Sequence, residues 1–284
     1  MKKFFTIFLI FLVVIFAATV VFLLSFCFNP FDVSEDLTQF EIKKHAVIEN
    51  KEDKDSKTNK DKKNQKARIK YDIDDNMFSY LTRRIDFDYL RKTNSDILSW
   101  VTIPSTNVDY PVMCDNTKKG DYYLYHDIYG RRNYWGAVFT YPYPLRDYEP
   151  AHRVFYGHHM NNLNYGFGSL YYKYSKSYKG DKSREIYMYY PDRVECYKVY
   201  TAVDSKQSDK IYSSFIIKGS TLHKRVIEDL KSKGRFHLGK DLKSDEKMLV
   251  LSTCGLGNKD VRFYVVGKPF VKYTYKTNVI SKLR

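Results

Sequence analysis

The sequence is poor in the residues that build several common protein classes. Four cysteines in 284 residues are too few for a disulfide-stapled scaffold. Their spacing contains no CxxC pair, which argues against a thiolate zinc site. Only 13 glycines and 8 prolines occur, and no internal repeat is visible, so a collagenous or fibrous chain is excluded. A charged content of 29% excludes a multi-span membrane protein.

What remains is a chain rich in core-forming and basic residues. Hydrophobic residues make up 43% and aromatic residues 17%, which excludes global disorder and suits one or two domains. The net charge of +15 favours an anionic partner, which could be nucleic acid, anionic lipid or cell-wall polymer. Residues 71–284 carry 35 basic and 24 acidic side chains, so most of the excess belongs to the globular part.

The N-terminus predicts a membrane anchor over residues 1–28. Twenty-five uncharged residues, Phe4 to Phe28, follow Lys2 and Lys3 and exceed both a hydrocarbon core and an ordinary signal-peptide core. The basic residues before the run and the acidic residues after it place the N-terminus in the cytoplasm. We therefore expect a single-pass protein of the cell membrane with its globular part outside the cell. A removed signal peptide is the alternative, and export in either form excludes nucleic acid as a partner.

Three further segments follow from composition. Residues 51–70 hold nine basic and four acidic side chains but only two apolar ones, so we predict a charged flexible stalk over 29–73. A polybasic lipid-binding patch is the alternative for this stretch. Residues 74–276 are predicted to form one globular domain, and 277–284 a C-terminal tail.

The domain is predicted to be mainly β with peripheral helices. Helical spacing of apolar residues over 77–94 indicates leading helices, and residues 220–234 indicate one late helix, with Ser220 as N-cap and Gly234 as its stop. Between and after them lie segments rich in Val, Ile, Tyr and Phe, bounded by turn residues; they cover 97–103, 107–113, 136–141, 152–157, 185–190, 194–203, 247–254 and 261–273. This pattern favours a single closed β-barrel, whose half-buried strands also account for the 27 tyrosines.

Cys254 is the sharpest candidate for chemistry. It ends the apolar strand MLVLSTC and precedes a glycine-containing loop, which presents a thiol at the edge of a sheet. His158 follows Gly157 at the end of another strand, and Arg262 begins the strand after the cysteine. A thiol, an imidazole and a guanidinium can act as nucleophile, acid/base and oxyanion partner. Taken singly, each has an ordinary structural interpretation as a buried, capping or surface residue. The His158-His159 pair could also bind metal, but no ligand spacing nearby supports that.

Together these residues resemble the sortase family of cell-wall transpeptidases. The pattern GH…LSTC…R lies on a β-rich domain behind a membrane anchor. Class B sortases in particular are similar in the leading helices and in WVTIPSTNVDYPV, DYYLYHD and FYGHHM. The helix before the cysteine strand also fits that class. The resemblance spans about residues 77–273.

The resemblance implies a closed sortase barrel and a set of roles. Cys254 becomes the nucleophile, His158 its acid/base partner and Arg262 the oxyanion or substrate-positioning cation, with Ser252 lining the peptide groove. His158 is chosen over His159 because it directly follows glycine. The short loop GLGNKDV lacks an acidic residue often found after the cysteine, and Asp260 is given no role.

The implied reaction uses no metal or organic cofactor. A sorting signal near the C-terminus of a secreted protein is cleaved at a threonine, and a thioester forms. An amine of a peptidoglycan precursor or crossbridge then resolves it. A non-enzymatic wall-binding module and a cysteine endopeptidase of the same fold are the alternatives. Whether Cys114 and Cys196 pair is left open by the sequence.

Overall fold

The computed structural model describes residues 15–16, 19, 41–48, 59–115, 117, 120–142, 150–159, 165–175, 184–213, 216–254 and 260–283, with only the backbone at 59–61 and Cys254. The chain forms two compact units, Met1–Lys44 and His45–Arg284. In the first unit every described residue is helical.

Strands dominate the second unit. They are β1 (Val47–Ile48), β2 (Arg84–Ile85), β3 (Ile97–Thr102), β4 (Asp109–Met113), β5 (Phe139–Thr140), β6 (His152–Tyr156), β7 (Glu185–Tyr189), β8 (Arg193–Lys206), β9 (Met248–Cys254), β10 (Val261–Thr274) and β11 (Val279–Lys282). The helices are α1 (Asn59–Tyr71), α2 (Asp75–Thr82), α3 (Phe87–Thr93), α4 (Gly168–Tyr174) and α5 (Thr221–Lys233), with short 3-10 turns at Tyr122–Leu124 and Lys210–Tyr212.

Eight strands close into a barrel. The order is β10-β8-β7-β3-β4-β5-β6-β9, and β9 pairs back with β10, while β11 extends the sheet beyond β10. The predicted closed barrel is therefore confirmed. The β6–β9 pair is parallel and the β9–β10 pair is antiparallel. Of these three consecutive strands, β6 and β9 therefore run in one direction and β10 runs in the opposite direction. Closure leaves no free edge among these eight strands.

Alternation along the strands builds two apolar clusters. Leu251 and Phe263 belong to the cluster inside the barrel, which also contains Phe155 of β6. Their sequence neighbours Val250 and Tyr264 belong to a second cluster on the outer face. Successive side chains of a strand point to opposite faces, so β9 and β10 are covered on both sides. Helix α5 covers the outer face with buried residues that include Val226, Ile227 and Leu230.

The predicted helix boundaries match closely where capping chemistry is explicit. Ser220 precedes α5, and its hydroxyl accepts from the backbone N–H of His223; Gly234 follows the last residue. Asp74 and Asp86 cap α2 and α3 in the same way. A side-chain acceptor satisfies one of the free N–H groups of the first turn, which is why these residues fix the helix starts.

Two segments differ from the sequence-based expectation. The part of the predicted stalk that the structure describes from residue 59 onward is helix α1, and the predicted C-terminal tail contains strand β11. The cause is a contact distant in sequence. The buried side chain of Asn64 donates to the carbonyl of Asn278 at 2.8 Å and accepts from the N–H of Ile280 at 3.1 Å. Composition could not reveal it, because the rest of α1 is strongly polar.

In the described residues no helix is long and apolar enough to cross a membrane. The predicted anchor, residues 1–28, lies outside the described residues except at three positions.

Asn64→Ala is expected to loosen α1 from β11. The substitution leaves the N–H of Ile280 and the carbonyl of Asn278 without this partner, which should lower the free energy of unfolding by about 1–3 kcal/mol. Chemical unfolding followed by circular dichroism measures it. Gln65→Ala, at an exposed position of the same helix, is the control and should stay within about 0.5 kcal/mol of the unsubstituted chain. Equal stability of the two variants would contradict the role of Asn64.

Candidate active site

Three adjacent strands bring the predicted site residues to one end of the barrel. In the parallel β6–β9 pair, Tyr156 lies opposite Ser252, so both strands end at the same edge. His158 lies two residues beyond Tyr156, and Cys254 lies two beyond Ser252. In the antiparallel β9–β10 pair, Cys254 lies directly opposite Arg262. The backbone thus sets the order His158, Cys254, Arg262 across neighbouring strands.

Three positions of β9 and β10 lie on the outer face of the barrel. Val250 and Tyr264 belong to the outer cluster, and alternation along β9 and β10 assigns positions 252, 254 and 262 to the same face. Residues directly opposite each other in an antiparallel pair have Cβ atoms about 5 Å apart. The cysteine and arginine positions are therefore neighbours at the open end of the face that α5 covers.

A cleft of about 300 Å³ opens at this point. Among its lining residues are three of the four predicted site residues, His158, Ser252 and Arg262. One wall is aromatic, with the Phe139 and Tyr156 rings stacked at 5.4 Å and the rings of Tyr141 and Tyr212 at 5.2 and 6.4 Å from that of Tyr156. Apolar walls with a few directed polar groups are typical of a ligand-binding cleft.

The surroundings of His158 favour the neutral form of its ring. Its Nε2 lies 2.8 Å from the carbonyl oxygen of Leu124, and because a carbonyl only accepts, Nε2 carries the proton. Burial lowers the pKa of His158, with the hydrogen bond to Leu124 acting in the opposite direction. The neutral ring leaves Nδ1 as a proton acceptor, which suits a general base.

The carbonyl of Leu124 is fixed by a close backbone approach. Gly136 has a φ of +57°, and a Cβ there would lie 2.6 Å from that oxygen. Only glycine fits both conditions without displacing the acceptor of His158. The loop that ends at Gly136 therefore orients the imidazole. Sequence reasoning missed this contact.

The neighbouring histidine has a different environment. His159 packs against Tyr171 and Tyr172 of α4, with ring centroids at 5.3 and 5.6 Å, and is not among the residues that line the cleft. Of the two histidines, His158 is the one at the cleft.

Two residues that the sequence did not single out complete the cleft. Tyr212 lies in the 3-10 turn after β8, and its hydroxyl is 2.9 Å from Oγ of buried Ser252. Burial raises the pKa of Tyr212 to about 12, so it stays protonated near neutral pH. Gln207 accepts a hydrogen bond from Nη2 of Arg262 at 3.1 Å. Both reach the cleft through the pairing of β8 with β10, which no local motif records.

The fold and part of the sequence match known proteins. No family model matches the chain. Sortase B of Listeria monocytogenes is 32% identical over 73 residues, which covers 26% of this chain and 29% of that relative, less than a third of its length. A Staphylococcus aureus sortase B–substrate complex superposes with a TM-score of 0.57 at 20% identity, covering 78% of this chain and 93% of the other. Clostridium perfringens sortase B superposes with a TM-score of 0.52 at 23% identity, covering 65% and 100%.

The chain has the class B sortase fold. It also resembles class B sortases in sequence, as its motifs predicted. Helix α5, which precedes the cysteine strand, buries the outer cluster behind the cleft.

The remaining cysteines of this sortase-fold domain lie apart from the cleft. Cys114 and Cys196 are both free and buried, which settles the open question of their pairing. Burial raises the pKa of both thiols and keeps them protonated and unreactive. Within the described residues, no cluster of three histidine, cysteine or carboxylate side chains could hold a metal ion.

His152, which contacts the turn beside the cleft, makes the unfolding free energy of the domain dependent on pH. Its buried Nε2 donates to the carbonyl of Ile211 at 2.6 Å, in the turn that carries Tyr212. Burial lowers the pKa of His152 to about 4, from about 6.5 in an unfolded chain. Below pH 6.5 the unfolded state binds a proton that the native state does not, so stability falls as the pH drops towards 4.

We expect His152→Gln to flatten this dependence. The amide can still donate to the carbonyl of Ile211 but does not titrate. Between pH 7 and pH 5, the loss of unfolding free energy should be smaller in the variant by about 2 kcal/mol. Urea unfolding of both proteins at the two pH values measures it, and identical pH slopes would show that His152 is not the titrating group.

Proposed function

We propose that the chain is a membrane-anchored cysteine transpeptidase of the class B sortase type. It cleaves a C-terminal sorting signal of secreted proteins at a threonine and transfers the acyl group to an amine of the cell-wall peptidoglycan. The observation that carries this proposal is the strand register, which sets position 254 opposite Arg262 and ends β6 two residues before His158 at the same edge; His158 and Arg262 line the cleft there. The sequence match to a sortase B supports it.

The first half-reaction forms a thioester. Nδ1 of His158 takes the proton of the Cys254 thiol, and the sulfur attacks the carbonyl carbon of the threonine. The guanidinium of Arg262 stabilises the negative charge that develops on the carbonyl oxygen. The C–N bond then breaks, and the proton on His158 passes to the leaving amine. The products are the acyl-enzyme and the released C-terminal peptide.

The second half-reaction transfers the acyl group. A peptidoglycan amine attacks the thioester carbon, His158 removes its proton, and the C–S bond breaks to regenerate the thiol. A new amide bond joins the secreted protein to the wall. The number of protons is conserved across the cycle, and no redox step occurs.

The shape of the cleft supports a peptide substrate. The stacked rings of Phe139 and Tyr156 offer an apolar wall for side chains of an extended peptide, while Tyr212, supported by the buried Ser252, offers a hydroxyl group to its backbone. Sortase B of Staphylococcus aureus has been solved as a substrate complex, which supports substrate binding by this fold.

The cellular setting of the proposal comes from the sequence. The apolar run Phe4–Phe28 supports a single-pass anchor with a cytoplasmic N-terminus. The net charge of +11 over residues 71–284 suits a domain that works beside an anionic cell wall. Its proposed partners are secreted proteins, which donate the acyl group, and peptidoglycan amines, which accept it.

Cys254→Ala is expected to abolish cleavage of sorting-signal peptides by the full-length chain, because it removes the nucleophile. Cleavage of a fluorogenic peptide library, with and without an added glycine peptide as the amine, measures both activity and transfer. Circular dichroism of the variant serves as the folding control. Full turnover by Cys254→Ala would refute the proposed mechanism, and products that ignore the added amine would identify an endopeptidase instead.

The variants His158→Ala and His159→Ala are expected to differ in peptide-cleavage activity. We expect the first to lose at least about 100-fold in kcat/KM, since it lacks the acid/base group. The second removes contacts with Tyr171 and Tyr172 and should keep most of its activity. Parallel peptide-cleavage assays compare them. The reverse order of activities would assign the acid/base role to His159.

A further inference from the structure

We propose that Gln207 is a positioning residue that orients the guanidinium of Arg262 through a neutral acceptor, and so preserves the positive charge opposite Cys254. This inference rests on the proposed function. It adds a residue that neither the motifs nor the catalytic roles include.

The backbone fixes Gln207 beside Arg262. Strand β8 ends at Lys206, which lies opposite Val261, and Ser205 lies opposite Arg262. Gln207 is the next residue of the chain after this pairing ends. The sheet register thus places its backbone directly after the pair formed by Lys206 and Val261.

A closed turn holds the segment that carries Gln207. The backbone N–H of Asp209 donates to the carbonyl of Lys206 at 3.0 Å, and the hydroxyl of Ser205 donates to the Asp209 carboxylate at 2.7 Å. A hydrogen-bonded turn of this kind restricts the backbone on both sides of Gln207. The side chain therefore meets Arg262 from a defined direction.

The contact itself orients the cation. Nη2 of Arg262 donates to Oε1 of Gln207 at 3.1 Å, and Nη1 donates to the carbonyl of Val261 at 3.3 Å. A guanidinium is planar and its donors have fixed relative directions, so anchoring both terminal nitrogens sets the plane of the group. Gln207 and Arg262 both line the cleft.

The chemistry of the acceptor matters as much as its position. An amide oxygen accepts the hydrogen bond without adding charge, whereas a carboxylate at the same place would offset the positive charge of the guanidinium. A carboxylate is close by in sequence, at Asp209, but it accepts from Ser205 and lies 3.7 Å from Nζ of Lys233.

The positive charge of Arg262 acts on another group of the cleft, the hydroxyl of Tyr212. Although burial raises the pKa of Tyr212, the proximity of Arg262 acts in the opposite direction on the same group. A cation in this position also favours the thiolate of the cysteine across the strand pair and the oxyanion of the tetrahedral intermediate.

Gln207→Glu tests the inference because it keeps the size and the acceptor and changes only the charge. Two readouts are taken on the full-length chain. The first is the pH dependence of Cys254 alkylation by iodoacetamide without substrate, followed at the Cys254 peptide by mass spectrometry. The second is kcat and KM for a cleaved peptide. Gln207→Ala removes the acceptor without adding charge. Gln65→Glu makes the same charge change at an exposed position of α1 and is the matched control.

We expect Gln207→Glu to raise the pH midpoint of alkylation by about half a unit or more. It should also lower kcat/KM about tenfold, mainly through kcat. Gln207→Ala should lower kcat several-fold with a smaller shift of the midpoint, and Gln65→Glu should match the unsubstituted chain.

Three results would overturn the inference. They are Gln207→Glu behaving like Gln65→Glu, Gln207→Ala behaving like the unsubstituted chain in both readouts, and equal midpoint shifts in the Glu and Ala variants. Since alkylation needs no substrate, the midpoint comparison stands even if the unsubstituted chain cleaves no peptide. A failure of the unsubstituted chain to cleave any peptide would instead contradict the proposed function.

Discussion

The pairing of β9 on both of its sides is the constraint on which the cleft depends. One neighbour, β6, runs parallel to it, and the other, β10, runs antiparallel. A parallel neighbour brings a second strand end to the same edge, and an antiparallel neighbour brings a strand beginning there. The imidazole, thiol and guanidinium positions thus come from three distant segments without a special loop. A slip of one residue in either register would move Cys254 to the opposite face of the sheet.

Two clusters keep that register in place. The inner cluster packs β9 through Leu249 and Leu251, and the outer one packs it through Met248 and Val250. Because both faces are packed, shifting the strand by one residue would exchange the two sets of side chains and place each set in the cluster shaped for the other. Helix α5 is therefore part of the support of the site, although its described residues do not line the cleft.

Much of the fold and part of the candidate site could be predicted from the sequence. The strands around Cys254 and His158 were predictable because they are short apolar runs with glycine close by in the sequence, and α5 was predictable because Ser220 and Gly234 mark its ends. The roles of α1 and β11 were not predictable, since Asn64 looks like any polar residue of a charged segment. Gln207 and Tyr212 were missed for a related reason. Gln207 meets Arg262 through the pairing of β8 with β10, and Tyr212 meets Ser252 of β9; these partners are 55 and 40 residues apart in the sequence.

The contact between α1 and β11 has a mechanical consequence. Strand β11 pairs with residues 271–274, at the far end of β10 from Arg262, and about nine residues of strand correspond to roughly 30 Å. Because β1 precedes α1 and pairs with β2, a pull on the chain from its N-terminal side loads the β1–β2 pair before the Asn64 contacts. Both attachments lie around Tyr275 and Asn278, beyond the end of β10 that is remote from Arg262, so tension from that side meets these contacts before the strands of the cleft.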